Sequence, residues 1–199
     1  MKVISFEGFE YSGKSTQIKL LKKYFIKNNI KSTFTREPGG NKDLEKIRNV
    51  ILKSNFDNLS LIMFFFASRF ALLSSIKKND FIVFDRFFDS TYAYQKYNSK
   101  EKKLIISLIK LIDKKFIPNI TFYLKLDKKN LIRRKDKRSY SNKFDKKYFG
   151  QFTRIQKNYE EISKIKIGKR KFVAIDASLP ANEVHDKIIL NLKKCKLIK

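Results

Sequence analysis

Apolar residues gather in short runs rich in Val, Ile and Phe at residues 3–6, 33–35, 81–84, 120–126 and 172–175. Runs of this length and β-branched character predict buried strands rather than helices. Between them the spacing lengthens. Ile18, Leu21 and Phe25 recur at i, i+3 and i+7, as do Leu44, Ile47 and Ile51, which is the pattern of one helical face. Further helices are expected over residues 58–76, 101–115 and 182–194, the last with Val184, Ile188 and Leu192 on one side. Strands that alternate with helices predict an α/β fold: a five-stranded parallel sheet covered on both faces, in three layers.

Length and composition narrow the picture only slightly. The 199 residues fit one domain, and no repeat, linker or low-complexity block divides them. A single cysteine, Cys195, excludes an internal disulfide framework and any multi-cysteine metal cluster. The run 61–67 is cut short by Ser68 and Arg69, so no membrane span is predicted. The amino end offers only Val3 and Ile4 as an apolar stretch before Ser5, Phe6 and Glu7, so no secretory leader is predicted and the chain is expected in the cytoplasm. A net charge of +27 raises nucleic acid as a partner. The positive residues are mostly Lys spread along the whole chain beside abundant Asn, Ile and Phe, the signature of A+T-rich coding, and they form no stripe interleaved with aromatics. No nucleic-acid partner is expected. His185, the sole histidine, lies in the polar part of the final helix and offers no acid–base pair.

The first strand runs into Gly8-Phe9-Glu10-Tyr11-Ser12-Gly13-Lys14-Ser15-Thr16, a GxxxxGK[ST] loop with a strand before it and a helix after it. The glycines let the backbone fold around phosphate with its N–H groups pointing inward, and the helix adds its positive end. Lys14 would neutralise β/γ-phosphate charge, and Ser15 would offer its hydroxyl to Mg²⁺. The loop predicts a nucleoside-triphosphate site without naming the acceptor.

Two further segments end strands at the same rim: Arg36-Glu37-Pro38-Gly39-Gly40, and Asp85-Arg86-Phe87-Phe88-Asp89-Ser90-Thr91-Tyr92-Ala93-Tyr94-Gln95. Basic residues at the carboxyl edge of a parallel sheet, beside a phosphate loop, can hold a second anion. With these motifs in this order, and with Met63-Phe64-Phe65-Phe66-Ala67-Ser68-Arg69, the chain resembles the thymidylate kinase family over nearly its whole length. The resemblance implies a phosphotransferase that moves the γ-phosphoryl group of ATP onto dTMP, giving dTDP and ADP. It implies ATP contacts from Gly8, Glu10, Tyr11, Ser12, Gly13, Lys14, Ser15 and Thr16. It also implies that Phe65 stacks on the base, Arg69 donates to thymine O4, and Arg36 and Arg86 grip the acceptor phosphate. Glu10 would face the sugar 3′-hydroxyl, Ser90, Thr91 and Gln95 would line the base edge, and Tyr94 would crowd the 2′ position. Asp85 would support Mg²⁺ with Ser15, and Lys14, Arg86, Asp85 and Arg138 would be the catalytic set. A homodimer follows from the resemblance alone.

Residues 133–138, Arg133-Arg134-Lys135-Asp136-Lys137-Arg138, stand where bacterial-type members of the family carry a lid, expected here over about 134–146 and just after a helix. The phosphate loop has no basic residue between Gly8 and Lys14, so charge on the transferred group must be met from Arg138, Lys137 or Arg134. The sequence departs from the family at 96–99, where glycines are usual, around Asp145, which is flanked by Lys143, Lys146 and Lys147, and at Lys125, where an Asp is usual. The rival reading from the same motifs is a deoxynucleoside kinase, which phosphorylates a neutral 5′-hydroxyl and has no use for a second anion clamp. A P-loop nucleic-acid-binding protein is favoured by charge alone.

Overall fold

The computed structural model describes residues 1–77, 79–136 and 143–199. Five parallel strands, β1 (Lys2–Glu7), β2 (Ser32–Arg36), β3 (Phe81–Asp85), β4 (Ile120–Lys125) and β5 (Lys171–Asp176), form one sheet in the order β2-β3-β1-β4-β5. The inner strands β1, β3 and β4 are buried along nearly their whole length because both faces of the sheet are covered, whereas the edge strands β2 and β5 are mostly half-buried or exposed, so the expectation of buried strands holds for the inner three only. Val3, Ile82 and Phe84 enter the core on one face of the sheet, while Ile4, Phe6 and Phe122 enter the core on the other. Helices α1 (Lys14–Lys27) and α9 (Ala181–Lys194) cover the second face. The first face carries α3 (Asn58–Ser75), α4 (Phe88–Gln95) and α5 (Ser99–Lys110). The remaining helices are α2 (Lys42–Lys53), α6 (Lys128–Asp136), α7 (Lys143–Phe149) and α8 (Phe152–Ser163).

Register places the site. Phe6 is opposite Asp85, and Asp85 is opposite Arg36, so β1, β2 and β3 end level with one another at one rim. The chain leaves β1 there into the phosphate loop, between neighbours that lead away in opposite directions, the position where open parallel sheets bind ligands.

Several elements differ from the sequence reading. The helix expected over 101–115 begins at Ser99, because Asn98 and Glu101 form a capping box, and ends at Lys110; Asp113 then accepts from the Lys115 amide and starts a short 3-10 turn, Lys114–Phe116. Ile47 lies exposed rather than inside, since α2 buries only Leu44 and Ile51. Helix α8 was not anticipated, although Phe152, Ile155, Tyr159 and Ile162, all buried, repeat at helical spacing. Helix α3 spans 18 residues at a mean hydropathy of 1.4, long and apolar enough by length and composition alone to cross a bilayer, a test that the core helix of a soluble protein also passes. In this fold one face of α3 buries Ile62, Phe66, Leu72 and Leu73 in the core, while Leu59, Met63 and Phe64 stay exposed on the other.

Candidate active site

The phosphate loop is shaped by two glycines. Gly8 has φ +145°, and a Cβ there would lie 2.7 Å from the Leu124 carbonyl oxygen and from Ser12 Oγ, so no side chain fits. Gly13, left-handed at φ 89°, begins α1 without a side-chain cap, leaving the first amides of the helix for an anion. Lys14 is buried, and its Nζ donates to the carbonyls of Gly8 at 2.9 Å and Phe9 at 3.1 Å. Burial first, and then the Arg86 charge, push its ammonium pKa down to about 8, with Asp85 and Glu10 pulling the other way. Ser15 and Thr16 are exposed on the first turn of α1.

Facing the loop, Arg86 follows β3 in a left-handed conformation, φ 67°. Its Nη2 donates to Glu10 Oε1 at 2.7 Å, and its Nη1 donates to Ser90 Oγ at 3.0 Å and reaches Tyr159 Oη at 3.5 Å. Tyr94 Oη donates to both oxygens of Glu10, at 2.9 and 2.8 Å. Burial works against the charge on Arg86, yet Tyr94, Glu10, Tyr159 and Asp85 together hold its pKa well above the ordinary arginine value. Asp85 lines the same cleft, half-buried at the strand end. Arg36 stands on the rim in a two-pronged pair with Glu45, at 2.9 and 2.7 Å.

The cleft's third wall comes from α3. Phe65, at 9 % exposure, presents to the cleft, and Arg69, one turn on, is 2 % exposed. Arg69 Nε donates to Glu37 Oε2 at 2.7 Å and Nη2 to Thr91 Oγ1 at 3.0 Å, while its guanidinium lies 4.6 Å from the Phe66 ring centre. Arg69 Nη1 and Glu37 Oε1 are buried with no hydrogen-bond partner among the described residues, a donor and an acceptor whose burial is costly unless a ligand completes them. Burial pushes the Glu37 carboxyl up to about 7 against the pull of Arg69. Gln95 Nε2 donates to Tyr148 Oη of α7 at 3.1 Å.

These walls enclose about 450 Å³, a volume suited to a nucleotide-sized ligand. Glu10, Tyr11, Gly13, Lys14, Ser15, Thr16, Arg36, Phe65, Arg69, Asp85, Arg86, Ser90, Thr91, Tyr94 and Gln95 all line it. Gly8 and Ser12 are buried beneath the loop instead. Of the expected lid, Lys137 and Arg138 lie outside the described residues. Arg134 belongs to the last turn of α6 rather than to a segment after it, and its guanidinium donates to the carbonyls of Tyr11 at 3.0 Å and Ala177 at 2.6 Å. Sequence reasoning missed Glu37 and Arg48. Glu37 sits inside the motif that singled out Arg36. Arg48 shares the Leu44–Ile51 face of α2, lines the cleft, and donates to the Pro38 carbonyl at 2.8 Å; a cation on an apolar helical face was the available signal.

A family model described as thymidylate kinase matches residues 6–188. The chain belongs to the thymidylate kinase family. It is 36% identical to the thymidylate kinase of Wolbachia pipientis subsp. Culex pipiens, over 97% of this chain and 96% of that one. To the thymidylate kinase of Chlorobium limicola it is 34% identical, over 96% and 94%. Its structure resembles the crystal structure of thymidylate kinase from Ehrlichia chaffeensis with a TM-score of 0.72 at 30% identity, covering 96% of this chain and 98% of the other. The five-stranded parallel sheet flanked by helices is the fold of this thymidylate kinase neighbour.

Among the described residues no group of three or more His, Cys, Asp or Glu side chains could hold a metal by itself. Magnesium needs no such cage: it keeps most of its waters and takes one or two protein oxygens together with phosphate. The exposed Ser15 hydroxyl and the Asp85 carboxylate, both hard oxygen donors on the cleft wall, fit that requirement.

Proposed function

We propose that this chain transfers the γ-phosphoryl group of ATP directly to the phosphate of dTMP, giving dTDP and ADP. The observation that carries the reading is one cleft lined both by a phosphate loop and by a second set of cations, Arg36, Arg48 and Arg86, with Phe65 and Arg69 on the adjoining wall. The loop amides and Lys14 hold the triphosphate, and Lys14 leaves the carbonyls of Gly8 and Phe9 to do so. Arg86 holds the acceptor phosphate in line, with Arg36 as its partner once Glu45 yields. Mg²⁺, held by Ser15 and supported by Asp85, would draw charge from the transferred group. Phosphoryl transfer is then a matter of position and charge, and no general base is required, because the acceptor phosphate is already ionised.

Arg69 Nη1 donates to thymine O4, which rejects cytosine, and Phe65 stacks on the ring. Tyr94 and Glu10 stand where the sugar passes between base and phosphate. The lid cations Lys137 and Arg138 complete the donor site on closure, whereas Arg134 braces the loop through Tyr11. The protein works in the cytoplasm on small molecules, without nucleic acid or membrane. It forms a homodimer through the exposed apolar side chains of α2 and α3, among them Val50, Leu59, Met63 and Phe64. A substrate panel of dTMP, thymidine and the other nucleoside monophosphates, with ATP and Mg²⁺, tests the proposal; turnover of thymidine but not dTMP rejects it.

A further inference from the structure

Helix α4 carries Ser90, Thr91, Tyr94 and Gln95 into the cleft, yet its N-cap residue, Phe87, has no side chain able to accept a hydrogen bond. The cap is supplied from another element. Glu7, the last residue of β1 and fully buried, accepts the Phe87 amide on Oε1 at 2.7 Å. Its Oε2 lies 2.5 Å from Ser90 Oγ, which donates to it, and 3.2 Å from Tyr159 Oη on α8. Ser90 Oγ is also 2.9 Å from Tyr159 Oη and is the acceptor for Arg86 Nη1. A local capping box would use an acid at the third helical position; here that position is Ser90, and the acid comes from 83 residues upstream.

This arrangement has a geometric consequence. Glu7 immediately precedes Gly8, so a single buried carboxyl joins the start of the donor loop to the helix whose hydroxyl fixes Arg86. We infer that Glu7 is a positioning residue that sets the distance between the two phosphate cradles by holding Ser90, and through it Arg86, against the phosphate loop. The inference rests on the reading of Arg86 as the acceptor-phosphate clamp. Glu7 touches no substrate: it is absent from the cleft wall, and its effect passes through Ser90. Burial is what gives the contact force, because a hydroxyl or amide left unpaired in a dry site must find another partner by moving.

The test is steady-state kinetics on Glu7→Leu, Arg86→Ala and the double variant, with KM read separately for dTMP and ATP. Glu7→Leu removes both oxygens at similar volume. It is expected to raise KM for dTMP and lower kcat, each by about tenfold to a hundredfold, the scale of an ångström-sized misplacement, with KM for ATP within about twofold of wild type. Glu7→Gln, which keeps one acceptor oxygen, should recover part of the loss. On the Arg86→Ala background Glu7→Leu should add nothing, because the two act in series. Additive losses, or equal rises in both KM values, overturn the inference, since a general loosening of the fold would give those. Should Glu7→Leu not fold, Glu7→Gln, which alters the same two contacts at equal volume, carries the test alone and with Arg86→Ala, and is judged by the same two criteria. If Arg86→Ala itself leaves KM for dTMP unchanged, the clamp reading fails first and takes this inference with it, a result distinct from failure of Glu7 alone.

Discussion

The two halves of the cleft are built by opposite means. The phosphate loop is nine consecutive residues whose working groups are backbone amides, held in place by glycines at φ 145° and 89°. The facing half draws on five elements. Arg36 and Glu37 come from the end of β2, Arg48 from α2, Phe65 and Arg69 from α3, Arg86 from the end of β3, and Thr91 and Tyr94 from α4. Its shape is kept by side-chain pairs, Arg69 on Glu37 and Arg86 on Glu10. A loop of backbone donors suits any nucleoside triphosphate, whereas a wall of side chains can be matched to one acceptor. Damage to the first half should therefore act on the donor and the chemical step, and damage to the second on acceptor choice.

The sharpest break in that division is Lys14→Ala, expected to lower kcat about a thousandfold, as loss of a preorganised charge donor does, with KM for dTMP little changed in steady-state kinetics. Next comes Arg69→Ala. It should raise KM for dTMP about a hundredfold and leave KM for ATP near wild type. It should also destabilise the protein by about 3 kcal/mol in a denaturant titration, because Glu37 would stay buried without its partner. Equal losses for both nucleotides would remove the base-reading role from Arg69. Phe65→Ala should cost about tenfold in KM for dTMP, the worth of one stacked base, and its effect should be the same for dUMP.

The smallest effects are in pH. With Lys14 lowered to about 8, its ammonium is charged below that pH and neutral above it, so ATP affinity should weaken about threefold to tenfold between pH 7 and 9 in a titration of free enzyme. Glu37 runs the other way in stability. Its pKa is raised from 4.5 to about 7 on folding, so between those values the native state holds a proton that the unfolded chain has released. The unfolding free energy contributed by this group is therefore full below pH 4.5 and falls as pH rises through 7. Denaturation midpoints measured across that window should show a shallower slope in Glu37→Gln.

Much of the fold was legible because it rests on local pattern. All five strands lie where the Val/Ile/Phe runs put them, and α1, α3 and α9 follow their periodic stretches. The family motifs that singled out the site residues are likewise contiguous. Where the sequence reading fell short, distant partners decide. Arg134 faces backbone carbonyls 123 and 43 residues away. Glu37 gains its place from Arg69, 32 residues away on α3.

The sequence by itself determined the alternating layers, the phosphate loop and the residue types needed to hold a second anion, because each depends on neighbours within a few positions. Only the tertiary structure decided which of those side chains are already engaged. It put Arg36 on Glu45, Arg69 on Glu37, and Ser90 between Glu7 and Arg86. The physical reason is that the energy of a buried polar group is set by whatever partner the folded chain brings to it, and for Arg69 with Glu37 and Ser90 with Glu7 that partner is tens of residues away with no mark of the contact between them.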